Sequence, residues 1–443
     1  MMKILPFRAT AACTLISLAA PGCSTPGAAT SSPNADMSRI TTLLRARPVI
    51  DGHNDVPWQY RARAADHLDR IDFTSGTAAL DPPMQTDLAR LHAGHVGAQF
   101  WSVYVPIIKR PGAPGSTRAV LEQIDVARRL IDRYDDLELA LSAQDIEHAR
   151  RHGRIASLIG MEGGHSIENS LAVLRATDAL GARYMTITHS RSTAWADSAT
   201  DEPVVGGLTA FGREVVREMN RLGMLVDLSH VSPDTMRDAL DTTEAPVIFS
   251  HSSARALCDH PRNVPDDVLR RLDDTDGLVM VTFVPSFISE DLRRWHVARN
   301  AERDRLRGAS ASDDDALARA LSRWEEAHPR PIATLAQVAD HIDHIRAVAG
   351  VEHIGLGGDF DGIDAGPKGL EDVSKYPDLF AELARRGYTD HELRAIAGDN
   401  LLRVMRKAER VAAKLQAERG PSEARIEELD GADPLAPDTD EGS

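Results

Sequence analysis

The sequence predicts a TIM-like (β/α)8 barrel with a helical insertion between its seventh and eighth strands. Eight short runs have the apolar, non-alternating composition of strands buried on both faces. Helical patterns separate these runs, and repeated strand–helix alternation over this length is typical of a parallel barrel. The predicted strands are residues 48–52, 96–104, 155–161, 184–188, 224–228, 246–250, 277–283 and 353–358. Helical patterns include residues 119–134, 168–180, 208–222, 233–241, 265–273 and 333–349.

Periodicity alone also fits an open, doubly wound sheet. The dinucleotide-binding form of that sheet carries a glycine-rich fingerprint at the start of its first helix, and this sequence has none there. The run Gly355-Leu356-Gly357-Gly358 ends a predicted strand and leads into acidic residues, so it is not a phosphate loop.

Residues 286–330 interrupt the alternation between the seventh and eighth strands. The segment is rich in Arg, Asp, Glu and Ala and contains Trp295 and Trp324. We expect a helical excursion over the barrel mouth. A lid over the site and a passive surface insertion both fit this composition.

The N-terminus, residues 1–22, has the pattern of an export signal. Lys3 and Arg8 supply positive charge, and the apolar stretch Ala11–Ala20 is too short to span a bilayer. The segment resembles a bacterial lipoprotein signal, with cleavage before Cys23 and lipid on its thiol. That resemblance implies a protein exported to the bacterial cell envelope and anchored in the membrane by lipid. An ordinary signal peptide cut nearby is the alternative.

Composition sets the remaining boundaries. Residues 23–38 are rich in Ser, Thr, Pro, Gly and Ala and are expected to be a flexible tether. The barrel domain is expected over residues 39–419. Residues 420–443 are acidic and nearly free of large apolar side chains, which predicts a disordered tail.

The charge and cysteine content exclude some classes of function. The formal net charge of the 443-residue chain is -16, which disfavours nucleic acid as a partner. Beyond Cys23, Cys258 is the single cysteine, so the expected mature domain has no internal disulfide. No activating partner stands at fixed spacing from Cys258, and we interpret it as a packing residue rather than a nucleophile.

Residues of the types that bind metals follow the predicted strands one by one. In a parallel barrel all strand C-termini lie on one face, where the active site is built. Imidazole and carboxylate ligands without thiolate suit a hydrolytic zinc site rather than a structural one. The residues concerned are His53, Asp55, Glu162, His189, His230, His251 and Asp359.

Several of these residues have spacings that favour a shared ion. His53 and Asp55 stand two apart, so in an extended strand exit they point the same way. His230 and His251 follow consecutive strands, about 4.8 Å apart in a sheet. Glu162 has two carboxylate oxygens and could bridge two ions, which would share and activate one water.

Each residue also has a structural interpretation. A His-x-Asp pattern arises by chance, a strand-end Glu pairs with Arg, and a lone buried histidine usually packs in a core. We interpret the other histidines of these regions as structural or exposed; they are His152, His165, His260 and His353.

A set of ordered motifs runs through the chain: Ile50-Asp51-Gly52-His53-Asn54-Asp55, Gly97–Pro106, Gly160–Gly164, Thr188–Ser190, Val226–His230, Ser250–Ser253, Arg262–Asp266, Gly357–Gly362, Leu370–Ser374 and Asp399-Asn400. Through these motifs the sequence resembles, from about Pro48 to Met405, the membrane dipeptidase (renal dipeptidase) family of zinc peptidases. The long insertion at 286–330 and the absence of cysteines for the disulfides of animal members are departures from the family.

The resemblance implies a TIM-like barrel that binds two zinc ions. His53, Asp55 and Glu162 would hold one ion, and Glu162, His230 and His251 the other. His189 corresponds to the substrate-facing histidine of the family, and Arg262 to its binder of the substrate carboxylate. Asp359 corresponds to the acid near the substrate amine and the attacking water.

These observations predict a zinc-dependent dipeptidase in which a zinc-bridging hydroxide attacks the peptide bond of dipeptides. Two alternatives remain open at this stage. One is a related metal-dependent amidohydrolase acting on cyclic amides or lactones, and the other is a non-catalytic zinc- or peptide-binding lipoprotein. The oligomeric state is also open, and a homodimer is one alternative.

Overall fold

Nine parallel strands form the central sheet in the part of the chain that the structure describes. A computed structural model describes residues 33–107, 116–309 and 314–431. The strands are β1 Val49–Asn54, β2 Val96–Tyr104, β3 Leu137–Leu139, β4 Ile155–Glu162, β5 Ala182–Thr186, β6 Leu225–Asp227, β7 Val247–Ser252, β8 Leu278–Val281 and β9 Ile354–Leu356.

Eight of these strands close into a barrel in the order β1-β2-β4-β5-β6-β7-β8-β9, and β9 pairs back onto β1. The longest pairing joins β2 to β4, from Ala98 opposite Ala156 to Tyr104 opposite Glu162. Every pairing in the ring is parallel, so all strands end on one face. The predicted TIM-like barrel is therefore confirmed, and the open sheet is excluded.

Strand β3 was not predicted. Its three residues pair with the start of β4, from Leu137 opposite Ile155 to Leu139 opposite Ser157, and it lies outside the ring. A run as short as Leu137-Glu138-Leu139 carries no periodicity, because only one pair of apolar residues flanks a charged one.

Helices alternate with the strands. They are α1 Pro33–Ala46, α2 Val56–Ala64, α3 Leu88–Ala93, α4 Ser116–Arg133, α5 Ala143–Arg151, α6 Leu171–Ala179, α7 Ala210–Leu222, α8 Pro233–Thr242, α9 Asp266–Arg270, α10 Leu272–Thr275, α11 Pro285–Ile288, α12 Glu290–Ala309, α13 Asp314–Ala327, α14 Leu335–Val348, α15 Tyr376–Arg385, α16 Asp390–Arg394, α17 Asn400–Glu418 and α18 Ile426–Leu429. Shorter helical turns are Leu68–Arg70, Thr77–Ala79, Gly164–Ile167, Val351–His353, Val373–Lys375 and Ala395–Asp399.

Side-chain caps explain where several of the crossover helices begin. Ser170, Thr209 and Ser232 precede α6, α7 and α8, and each side chain accepts a hydrogen bond from the backbone N–H three residues later. Such caps satisfy amide groups that the first helical turn leaves without partners.

One end of the barrel is closed by apolar packing. Leu401 and Leu402 of α17 belong to the same buried cluster as Ile50, Phe100 and Leu158 of the strands. Gly398, just before α17, lies so close to Ile50 that an added Cβ would stand 2.7 Å from its Cγ1. Since this packing is at the strand starts, the opposite end is left for a site.

The predicted insertion between β8 and β9 is confirmed as helical, and it consists of α11, α12 and α13. Helices α12 and α13 form a hairpin with its own aromatic core. Trp295 Nε1 donates to the carbonyl of His328 at 2.7 Å, and the Trp295 and Trp324 ring centroids are 5.8 Å apart. The hairpin is stabilised by contacts within itself.

The structure differs from the predictions at both ends of the domain. Helix α1 already begins at Pro33, so residues 33–38 of the predicted tether are helical. Proline is compatible with the first turn of a helix, so a proline-containing segment can be helical even where its overall composition predicts a flexible tether. Residues 1–32, with the predicted signal and Cys23, lie outside the described residues.

The prediction of disorder from residue 420 is wrong for residues 420–431. Ile426 is buried, and the Asp430 carboxylate accepts hydrogen bonds from Thr209 Oγ1 at 2.5 Å and from the Phe211 amide at 3.2 Å. A single buried isoleucine and one helix-capping acid order a segment whose average composition is polar. Residues 432–443 lie outside the described part of the chain.

Within the described residues, no helix combines the length and the apolar character that a membrane span requires.

Candidate metal centre

A cavity of about 270 Å³ lies at the ends of the barrel strands. The structure brings all eight residues singled out from the sequence to this place. Its lining consists of Asp55, Trp58, Tyr104, Glu162, His189, His230, His251, Arg262, Phe287, Asp359 and Gly362. His53 lies directly behind this lining.

His53 is the centre of the first group of ligand-type atoms. Its Nε2 is 3.3 Å from Asp55 Oδ2, 3.5 Å from Glu162 Oε2 and 3.8 Å from Asp359 Oδ1. This nitrogen is buried and has no hydrogen-bond partner among the described residues. Three carboxyl groups around one imidazole nitrogen offer the oxygen and nitrogen ligands that suit a cation.

Glu162 Oε1 is the centre of the second group. It lies 3.0 Å from His230 Nε2, 3.4 Å from His189 Nε2 and 3.6 Å from His251 Nε2. The Nε2 atoms of His230 and His251 are themselves 3.0 Å apart. The two oxygens of Glu162 therefore face two different sets of ligand-type atoms.

Glu162 is fixed in this orientation by its surroundings. Ser102 Oγ, on the neighbouring strand β2, donates to Glu162 Oε2 at 3.0 Å. The direct β2–β4 pairing that closes the barrel brings the serine to the carboxylate. Ser102 was not identified from the sequence, because a serine inside an apolar strand carries no signal of its own.

Two histidines are held by hydrogen bonds on their far sides. Tyr184 OH donates to the Gly52 carbonyl at 3.2 Å, so it accepts from His53 Nδ1 at 2.8 Å. In the neutral imidazole, this arrangement places the His53 proton on Nδ1 and leaves a lone pair on Nε2, the form that binds a metal. Tyr184 was missed because its position in an apolar strand indicates packing.

His251 is held in the same way. Ser250 Oγ donates to Asp227 Oδ2 at 2.6 Å and therefore accepts from His251 Nδ1 at 2.8 Å. Asp227 also accepts from the amides of Ser229 and Ser250, at 3.0 and 2.8 Å. Histidine ligands of metals commonly have such outer partners.

The backbone is strained at two of the site residues. His230 has φ of 72° and Asp359 has φ of 61°, both in the left-handed region that costs about 1–3 kcal/mol for such residues. The Asp359 amide donates to the His53 carbonyl at 3.2 Å, and the His230 carbonyl accepts from the Ala199 amide at 2.7 Å. These bonds offset part of the strain.

Burial and charge set the ionisation of the cluster. Burial raises the pKa of Asp359 well above its usual value, and the nearby Asp55 and Glu162 carboxylates raise it further. Burial opposes ionisation of Glu162 as well, but His53 and His189 hold its pKa well below its usual value.

Burial also lowers the pKa of His230 and of His251 well below the usual value. Both imidazoles are therefore neutral, which is the state in which histidine binds metals.

Arg262 lies in the wall of the cavity and is 3 % exposed. Among the described residues, its Nη1 has no hydrogen-bond partner, and its Nη2 reaches only the His251 carbonyl at 3.5 Å. Burial lowers the pKa of Arg262 to about 10, so the guanidinium remains charged at neutral pH. A buried guanidinium with unused donors indicates a binding site for an anionic ligand.

The residues present fit a centre that holds divalent cations. Ligand atoms within 4.8 Å of one another form three groups among the described residues, namely His53 with Asp55 and Glu162, Glu162 with His189 and His230, and His53 with His251 and Asp359. The donors are imidazole and carboxylate, which suits zinc. The structure thus brings together each residue that the sequence predicted, and adds Trp58, Tyr104 and Phe287 as aromatic walls.

The sequence model of one family, described as membrane dipeptidase (peptidase family M19), matches residues 37–419. The probable dipeptidase PvdM from Pseudomonas aeruginosa is 23% identical with a TM-score of 0.74, over 86% of this chain and 100% of that one. A structure described as dipeptidase AC, a metallopeptidase of family M19, is 25% identical with a TM-score of 0.65, over 82% and 98% of the chains. A metallopeptidase from Rhodobacter sphaeroides, liganded with a phosphinate mimic of the dipeptide L-Ala-D-Ala, is also 25% identical with a TM-score of 0.65, over 82% and 99%.

The Tyr184 hydroxyl generates a prediction for metal affinity. Tyr184→Phe keeps the ring but removes the acceptor of His53 Nδ1, so we expect zinc affinity to fall about 10- to 100-fold. Competition with a chromophoric chelator measures this. The matched control is Tyr388→Phe, which removes the hydroxyl of another buried tyrosine, one that donates to Asp343 outside the cavity. Equal zinc affinity in both variants would contradict the role of Tyr184.

Proposed function

The chain belongs to the membrane dipeptidase family and is a metallo-dipeptidase; from this premise we propose that it uses two zinc ions and a zinc-bridging hydroxide to hydrolyse dipeptides. The observation that carries the proposal is the position of Glu162. One of its oxygens faces His53, and the other faces His230 and His251.

His53, Asp55 and Glu162 would hold one zinc ion, and Glu162, His230 and His251 the other. Bound in this way, the pair of ions would supply an acidified water at neutral pH and would polarise the carbonyl that is attacked. The outer partners Tyr184 and Ser250 keep two of the imidazoles in the tautomer that this binding requires.

Arg262 gives the proposed site its substrate class. Its unused, buried donors would bind the terminal carboxylate of the substrate through a forked pair of hydrogen bonds. A carboxylate held at a fixed distance from the zinc ligands restricts the productive substrate to two residues. This restriction distinguishes a dipeptidase from an amidohydrolase that acts on cyclic amides or lactones.

His189 and Asp359 complete the proposed chemistry. His189 lines the cavity with its Nε2 3.4 Å from Glu162 Oε1, and it would donate to the oxyanion that forms on the substrate. Asp359 would receive the proton of the attacking water and pass it to the leaving amine. The raised pKa of its carboxyl, caused by burial, suits such a transfer.

The similar protein from Rhodobacter sphaeroides carries a mimic of L-Ala-D-Ala. We therefore include dipeptides with a D-residue at the C-terminus among the candidate substrates. A panel of L,L and L,D dipeptides distinguishes the two classes.

We also propose that the protein is exported and anchored in the bacterial cell envelope by lipid on Cys23. The proposal rests on the sequence pattern of residues 1–22, with Lys3 and Arg8 before an apolar stretch and the cysteine after it.

The metal content of the purified protein tests the proposed centre. We expect close to two zinc equivalents per chain, and we expect chelation to abolish dipeptide hydrolysis until zinc is returned. His251→Ala should lower the zinc content to about one equivalent, because the ion proposed to bind Glu162, His230 and His251 would lose one of its three protein ligands. Full activity of verified metal-free protein would refute the mechanism.

Arg262 is tested by substitution together with a change in the substrate. Removing one partner of a buried, hydrogen-bonded charge pair costs about 2–4 kcal/mol, which is roughly a 30- to 1000-fold loss of rate. Arg262→Ala should lower kcat/KM on dipeptides by that factor and leave the zinc content unchanged. Arg262→Lys should not fully restore the rate, because an ammonium cannot form the fork.

Amidating the substrate carboxylate should slow the wild-type enzyme strongly and the Arg262→Ala variant little. Arg237→Ala is the control, because this surface arginine pairs with Asp234 and Asp267 outside the cavity. Equal wild-type rates on dipeptides and on their amides would argue against the carboxylate role.

Mass spectrometry of the mature N-terminus tests the proposed anchor. We expect the protein in the membrane fraction to begin at Cys23 and to carry lipid on that residue. Cys23→Ser should abolish the modification and release the protein from the membrane fraction. An unmodified N-terminus downstream of Cys23 would rule the anchor out.

A further inference from the structure

The side chain of Asn263, next to Arg262, ties two segments of the cavity wall together. It is fully buried, and its Nδ2 donates to the carbonyls of Cys258 at 2.9 Å and Phe287 at 2.7 Å. Its Oδ1 accepts from the Ser253 amide at 3.2 Å. Asn263 thus joins the segment that carries Arg262 to helix α11, the first turn of the insertion.

The carbonyls on either side of Phe287 are held as well. His341 Nδ1 accepts from the Ala254 amide at 3.0 Å, so its Nε2 carries the proton and donates to the Ile288 carbonyl at 3.2 Å. Cys258 Sγ donates to the Ser286 carbonyl at 3.3 Å. Three consecutive carbonyls of α11 are therefore bound to groups outside the insertion.

These bonds fix the ring of Phe287 against the substrate-binding wall. The ring stacks on His260 with centroids 4.1 Å apart, and the Arg262 guanidinium carbon lies 5.4 Å from its centroid. Burial lowers the pKa of His260 to about 3, so a neutral imidazole backs the ring and does not repel the guanidinium.

Hydrogen bonds do little to aim Arg262. Its Nη1 is unbonded, and its Nη2 makes one long contact with the His251 carbonyl. Packing must therefore set the direction of the guanidinium, and a cation over an aromatic face is attracted by about 0.5–2 kcal/mol. Phe287 supplies that face at the edge of the cavity.

We propose that Asn263 is a positioning residue that holds Phe287, and through it aims Arg262 at the substrate carboxylate. The first turn of the insertion is then a fixed wall of the substrate site rather than a hinged lid. This inference rests on the proposed carboxylate role of Arg262.

The experiment compares KM and kcat of Asn263→Ala and Phe287→Leu on a dipeptide and on its C-terminal amide. We expect KM for the dipeptide to rise about tenfold in each variant, with kcat and the zinc content close to wild type. The preference for the dipeptide over its amide should fall by the same factor. Phe287→Leu keeps the apolar bulk, so it decides the question if Asn263→Ala does not fold.

Asn400→Ala is the matched control. This buried asparagine also donates from Nδ2 to two backbone carbonyls, those of Val351 at 2.8 Å and Ile354 at 2.9 Å, and it does not line the cavity. It should lose stability as Asn263→Ala does, but keep the wild-type KM and substrate preference.

Two results would overturn the inference, and they differ. If both test variants keep the wild-type KM and preference, Asn263 and Phe287 are structural and the proposed function stands. If the wild-type enzyme itself does not prefer the dipeptide over its amide, the carboxylate role of Arg262 fails, and the inference fails with it.

Discussion

The buried carboxylate of Glu162 is the constraint around which the centre is arranged. Burial opposes its ionisation, yet its pKa lies well below the usual value because His53, His189 and His230 surround it. Those histidines come from the ends of β1, β5 and β6. A stable Glu162 anion therefore requires these strands to end where their histidines reach the carboxylate. The fold therefore stabilises the ionised carboxylate, and the carboxylate constrains the registers of the strands in return.

Closure of the barrel meets this requirement through the pairing of β2 with β4. That pairing places Tyr104 opposite Glu162 and brings the Ser102 hydroxyl to the carboxylate. A shift of one residue in register would turn both side chains to the other face of the sheet. The short β3 does not take part in the ring, because it pairs only with the start of β4. The ring thus passes directly from β2 to β4 and leaves β3 out, which completes the wall that bears Glu162.

Much of the fold and of the site could be predicted because the signals are local. A strand buried on both faces has an apolar run, and a candidate site residue such as His53 or Asp359 directly follows one of the predicted runs. The partner of His53 could not be predicted, because Tyr184 is 131 residues away in the sequence and meets His53 only in the folded barrel. Disorder was overestimated after residue 419 for a related reason, since composition averages over the one buried Ile426 that anchors the segment.

The polar groups of the site divide into those that are satisfied within the protein and those that are not. Asp227 accepts from backbone amides and from hydroxyls, and Asn263 uses both of its Nδ2 protons and its oxygen. By contrast, the buried atoms His53 Nε2, His230 Nδ1 and Arg262 Nη1 have no hydrogen-bond partner among the described residues. Unsatisfied buried groups are rare in native proteins, because each costs about 1–3 kcal/mol. His53 Nε2 and Arg262 Nη1 lie where a cation and a carboxylate are proposed to bind, so ligands at these two positions would satisfy both atoms, while the fully bonded neighbours serve as the scaffold.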